Sequence, residues 1–147
     1  MRSQTLLITL LLATASPGVQ AAPEFLPLDA DELRAMELKS IPPFPAEIVL
    51  KGESENWEQV LHQGDFVVAV FAASPAIVDI NEPFPYDEFV LVLEGNVTLT
   101  NIDGGKQTYG QGETFLVPKG WMGTWDMPVR YREMIIVDTQ AWVAGEF

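Results

Sequence analysis

Glu82 and Glu88 are the residues whose type and spacing suggest chemistry first. They bracket the segment Pro83-Phe84-Pro85-Tyr86-Asp87, and the apolar run Phe89–Leu93 follows. If both point inward, two carboxylates with waters suit a weakly held hard ion such as Mg²⁺ or Mn²⁺. A second group lies downstream. Trp121, Gly123 and Trp125 share one parity. In an extended segment two indoles then flank a glycine on the same face. With Tyr86, Glu88 and Arg132 as orienting polar groups, these tryptophans outline a small-molecule pocket, since such sites are mostly apolar and aromatic. Large aromatics are also ordinary core residues, so core filling stands beside the pocket reading. Glu88 has a structural alternative too. Arg130 and Arg132 sit two apart, share a face, and are candidate partners for its carboxylate. Tyr86 and Lys119 could act as acid or base without a metal, although Lys119 precedes Gly120 in a turn, where lysine is ordinarily just solvated.

Other chemistries are excluded. The chain has no cysteine, so it has no disulfides, no thiolate metal site and no cysteine nucleophile. It contains no G-x-S-x-G and no P-loop. The single histidine, His62, sits beside the turn residues Gly64-Asp65 and reads as a surface or packing residue. Twenty-one acidic residues against eight basic ones give a net charge of −13. Such a surface repels nucleic acid and anionic membranes.

The elements that must position these residues are short. The 147 residues suffice for one domain. Residues 1–21 have the layout of a secretory signal peptide: Arg2, an apolar run from Leu6 to Ala13, and the small residues Val19 and Ala21 before a cleavage point. The run is shorter than the roughly 20 residues a bilayer span needs. The expected location is therefore periplasmic or secreted, with no membrane attachment after cleavage. Residues 22–50 read as an N-terminal arm. Asp29 with Glu32 resembles a capping box opening one helix over about residues 30–39. Ile41-Pro42-Pro43-Phe44-Pro45 must be extended.

Residues 51–147 read as all-β. Strand-like runs at 66–73, 76–80, 88–93, 97–100, 114–117 and 134–137 alternate with Gly-, Asn- and Asp-rich turns. In Phe66–Phe71 and Phe89–Leu93 both faces are apolar. A strand facing water on one side would alternate. The outer face must be covered by the arm or by a second subunit, so a homodimer is one expectation.

Two patterns carry a family resemblance. Six residues separate Glu88 from Gly95, and Gly112, Pro118 and Gly120 follow the spacing G-x5-P-x-G. Together they resemble the cupin motifs G-x5-H-x-H-x(3,4)-E-x6-G and G-x5-P-x-G-x2-H-x3-N. The stretch Gly112–Trp125, ending P-x-G-x-x-G-x-W, is similar to the (S)-ureidoglycine aminohydrolase-like cupins. The resemblance implies one cupin barrel (a double-stranded β-helix, or jelly roll) over residues 51–147. It covers about residues 55–138, and one fold hosts many functions. The donors depart from the pattern. The first-motif histidines fall on Glu82 and Phe84, or on Asn81 and Pro83 with the longer spacer. The second-motif histidine falls on Gly123 and the asparagine on Met127. Three functions follow as expectations: a metal-poor cupin binding a small molecule through Tyr86, Glu88, Trp121, Trp125 and Arg132; an enzyme acting on C–N bonds with Mn²⁺ or another divalent ion on Glu82 and Glu88; or a ligand-free structural dimer.

Overall fold

Phe66–Ala73 and Tyr131–Asp138 lie side by side at the centre of the molecule, and their alternation organises the rest. A computed structural model describes residues 23–144; the signal-peptide reading of residues 1–21 falls outside them. The strands are β1 (Lys39–Ile41), β2 (Val49–Gly52), β3 (Asn56–Gln63), β4 (Phe66–Ala73), β5 (Ala76–Ile80), β6 (Glu88–Glu94), β7 (Asn96–Asn101), β8 (Lys106–Gly110), β9 (Thr114–Val117), β10 (Gly123–Met127) and β11 (Tyr131–Asp138). Two short helices flank them, α1 (Ala30–Ala35) and α2 (Thr139–Ala144). No helix among the described residues is long and apolar enough to cross a membrane.

The strands form two antiparallel sheets. One has six strands in the order β1-β3-β4-β11-β6-β9, the other five in the order β2-β5-β10-β7-β8. Inward residues of both sheets, among them Val67, Ala69, Val90, Val97, Val117, Tyr131, Ile135 and Val137, make one core. This is the all-β architecture that the strand spacing predicts and the jelly-roll barrel that the family resemblance implies.

The doubly apolar strands have a local explanation. On β4, Val67 and Ala69 face the core, while Val68 and Val70 face outward with Leu93 and Met134. The arm covers that outer cluster, because Leu33 of α1 is buried in it and Met36 and Leu38 pack alongside. Asp29 caps α1 by accepting hydrogen bonds from the backbone of Asp31 and Glu32. The helix ends at Ala35, shorter than the predicted 30–39, since Lys39–Ile41 leaves it to pair with β3. The arm is thus woven into the barrel, with β1 on one sheet and β2 on the other.

Arg132 locks the arm in place. Its side chain is buried on the outer face and donates to the carbonyls of Leu33, Arg34 and Met36 at the end of α1. A cation there also complements the helix C-terminus. Burial lowers its pKa from the ordinary arginine value, and Glu94 partly offsets that. Arg132→Met leaves these carbonyls without their donor and is expected to cost about 2 kcal/mol. Limited proteolysis of this variant should cut first within residues 23–38, before any cut in the strands.

Candidate functional site

A cavity of about 490 Å³ opens between the sheets where β3, β5, β6, β10 and β11 meet the arm. Its position follows from inward residues that do not fill the barrel: acids on β3, β6 and β11, and apolar side chains on β5 and β10. Phe44 from the arm and Trp142 from α2 close part of the wall.

Glu88 lines this cavity and is only 6% exposed. It reaches neither arginine proposed as its partner. Glu88 lies opposite Val137 on the inward face of β11, whereas Arg132 points outward to α1. Arg130 instead lies over the Trp57 ring, 5.0 Å from its centroid. The even-numbered parity of β11 put Arg132 outside, and this corrects its assignment to the pocket. Burial raises the Glu88 pKa well above the usual carboxylate range, and the nearby Glu133 raises it further.

Glu133 and Glu58 are site residues that the motif spacing did not reveal. Glu133 is 5% exposed, lines the cavity, and accepts a hydrogen bond from the Tyr131 hydroxyl at 2.6 Å. Burial pushes its pKa up to about 8, and the Tyr131 hydrogen bond pulls the other way. Tyr131 is itself raised, mainly by burial and then by Glu133. Glu58, on β3, is raised by burial. Their signal was parity: Tyr131, Glu133, Ile135 and Val137 alternate with Arg132, Met134 and Ile136, so a glutamate occupies a core-facing row.

Tyr86 is where the sequence placed it, on the cavity wall. Its hydroxyl is raised by burial first, then by Glu88, Glu58 and Glu133. Phe84 packs edge-on against it at 5.2 Å between ring centroids. Trp125 also lines the cavity. Trp121 does not. Its indole donates to the Asn101 side chain at 2.8 Å and meets Trp125 edge-on, 6.3 Å between centroids. Of the five predicted ligand residues, then, Tyr86, Glu88 and Trp125 converge, Trp121 backs Trp125 from outside, and Arg132 lies on the opposite face of the sheet.

The donor positions do not fit a metal. Glu82 is exposed beside a separate groove and does not join Glu88, which corrects the two-carboxylate reading. Phe84 and Met127 present apolar atoms to the cavity. Gly123 has no room for a side chain: a Cβ there would lie 2.1 Å from the Thr100 carbonyl oxygen and 2.8 Å from the Trp121 indole. Among the described residues, no group of three or more His, Cys, Asp or Glu side chains is placed to hold an ion. His62 is exposed and packs on Phe66.

The segments carrying the two motifs are bound to each other. The Phe84 amide donates to Trp121 and the Gly120 amide to Phe84, at 2.9 and 2.8 Å. The Lys119 amide donates to the Asp87 carboxylate at 2.8 Å. Gly95 turns β6 into β7 with φ 77°, and a Cβ there would strike the Arg130 carbonyl at 2.3 Å. These are the contacts that make the two motifs structural. Residues 62–133 match the family model described as an EutQ-like cupin domain.

The chain has the cupin fold.

Solved structures agree on the cupin fold. A protein of unknown function from Pseudomonas syringae pv. tomato superposes with a TM-score of 0.65 at 21% identity, over 71% of this chain and 45% of that one. This chain therefore spans less than half of that relative. The EutQ protein of Clostridium difficile superposes with a TM-score of 0.54 at 19% identity, over 65% and 70% of the two chains. A putative ethanolamine utilization protein from Salmonella typhimurium gives 0.51 at 18%, over 58% and 70%. No curated protein matches the chain significantly.

Proposed function

We propose that this cupin binds a small organic molecule in the barrel cavity, gripped by side chains and not by a metal ion. The supporting observation is the wall itself. Where the family motifs call for an imidazole and an asparagine, the cavity has Phe84 and Met127, and its polar side chains besides the two indoles are those of Asn56, Glu58, Tyr86, Glu88 and Glu133. A volume of about 490 Å³ lies within the roughly 300–1,000 Å³ common for small-molecule sites. The leader-like residues 1–21 support export, so the proposed place of action is the periplasm or beyond.

The ureidoglycine aminohydrolase-like reaction has the Gly112–Trp125 stretch in its favour but no donor set to carry its ion. Pairing of two copies has one observation behind it. Phe89 and Leu116 are direct neighbours across β6 and β9, and are 39% and 59% exposed. Sedimentation of Leu116→Asp beside the wild-type chain tests that state, and a fall from dimer to monomer is the expected result.

Binding is tested by thermal shift of residues 22–147 against a panel of neutral, cationic and anionic compounds, since a ligand of the native state raises stability. Ile80→Trp places an indole in the cavity mouth. It should abolish the shift of any hit while the unliganded protein still melts cooperatively. Hits that shift both proteins equally bind elsewhere and refute the cavity reading.

A further inference from the structure

Among the described residues, three charged side chains line the cavity, and all three are glutamates. Glu58 comes from β3, Glu88 from β6 and Glu133 from β11. Among the described residues, no Lys, Arg or His lines the space. The one ion pair among the described residues joins Arg34 to Asp31 on the surface. Glu88, more than nine-tenths buried, thus faces the cavity with no positive charge to balance it. The same wall carries aromatic rings: Phe84, Tyr86, Trp125 and Trp142 line it together with the carboxylates. Aromatic rings attract cations through their quadrupoles, most strongly when water is excluded.

These two features select one ligand class. An anion would meet three acids. A divalent ion needs converging donors, and the described acids do not converge on a point. They are spread over three strands around a space the size of a molecule. Resting on the small-molecule reading above, we infer that the cavity takes a compact organic cation, an ammonium or guanidinium compound, held between the aromatic wall and Glu88 with Glu133. The chain's net charge of −13 also draws cations toward it.

Proton release follows from the geometry. The groups facing the two acids are Glu58 on β3, Tyr86 ahead of β6 and Tyr131 on β11. The lining residues of β4, β5, β10, the arm and α2 carry no charge. Without a ligand, burial pushes the Glu133 pKa up to about 8, so it holds its proton at neutral pH, and burial with Glu133 nearby favours the protonated form of Glu88. A cation stabilises their ionised forms, so binding expels protons and strengthens as pH rises from about 6 to 8.5.

The test uses choline and benzyltrimethylammonium, whose charge does not titrate, with 3,3-dimethylbutan-1-ol as the uncharged isostere of choline and benzoate as an anion. Titration calorimetry on residues 22–147 in two buffers of different ionisation enthalpy reads affinity and proton release together. The quaternary cations should bind at least about tenfold more tightly than the alcohol. Binding should release protons at pH 7. Glu88→Gln should weaken the cations about tenfold and leave the alcohol unchanged, with melting of the unliganded variant confirming its fold. Equal binding of choline and its isostere, or binding of benzoate alone, overturns the cation assignment and leaves a small-molecule site. Failure of all four probes overturns the cation assignment. If Ile80→Trp also leaves every hit of the wider panel unaffected, the cavity reading falls with it.

Discussion

Gly123→His is expected to melt about 10 °C below the wild-type chain and to take up no manganese. The substitution restores the histidine that the second cupin motif calls for, so a motif-based expectation runs the other way. The sheet decides. Gly123 pairs with Ile80 on one side and Asn101 on the other, and a Cβ would sit 2.1 Å from the Thr100 carbonyl. A backbone oxygen inside a sheet cannot move without breaking the pairing of β10 with β7. The Trp121 indole, at 2.8 Å, blocks the other direction and is held by Asn101. Overpacking against backbone costs on the order of 3 kcal/mol. Were the chain to tolerate it, one imidazole with Glu88 would still lack the further donors that transition-metal sites use. Scanning calorimetry and elemental analysis after manganese exposure check both halves. Wild-type melting with one bound ion per chain would show that the strand can open there.

Glu133→Gln should stabilise the protein at alkaline pH by on the order of 3 kcal/mol and flatten its stability profile. Glu133 is buried, and its pKa is about 8 in the fold against 4.5 in an exposed chain. Between those values the native state holds a proton that the unfolded state has lost, so stability falls as pH rises. Below about pH 4.5 both states are protonated and the penalty vanishes. Above about pH 8 both are ionised, and the fold bears the full expense of a buried carboxylate. Glu88, raised by the same burial and by Glu133 itself, adds to the slope. Glutamine never ionises and its carbonyl can still accept the Tyr131 hydroxyl, so the variant escapes the penalty. Denaturant unfolding at pH 5 and pH 9 reads the effect. The wild-type chain should lose stability between them, and Glu133→Gln should lose much less. Equal slopes would mean that Glu133 ionises freely in the native cavity.

The sequence carried the barrel in its strong strands. Phe66–Ala73, Ala76–Ile80 and Thr114–Val117 are strands with the predicted limits, because β-branched and apolar runs bounded by turn residues have few other structures open to them. The weaker strands were not legible. In Asn56–Gln63 a bulge between Val60 and His62 breaks the two-residue period, and Glu58 occupies an inward place where an apolar residue is expected. The same inversion hid the site. A glutamate on the core-facing row of β11 looks like a solvent residue until the alternation of its neighbours is followed. Arg132 misled for the complementary reason. An arginine one residue from the end of a strand suggests a partner for Glu88, but the carbonyls that receive it belong to a helix at the far end of the chain. The spacing of the motifs picked out Tyr86, Glu88 and Trp125, which do line one cavity, because the hairpin and turn that carry them are bound to each other.

The latch between Arg132 and Leu33 joins residues 99 positions apart. Its effect reaches back to synthesis. The first helix has no seat until the last strand exists, because Met134 and Arg132 of β11 form its floor and its clasp. A chain emerging from its amino end must carry the arm, with Leu33 uncovered, until β11 has been made. Closing a contact of such separation costs chain entropy before it rewards it, so α1 is expected to dock after the strands that form its seat.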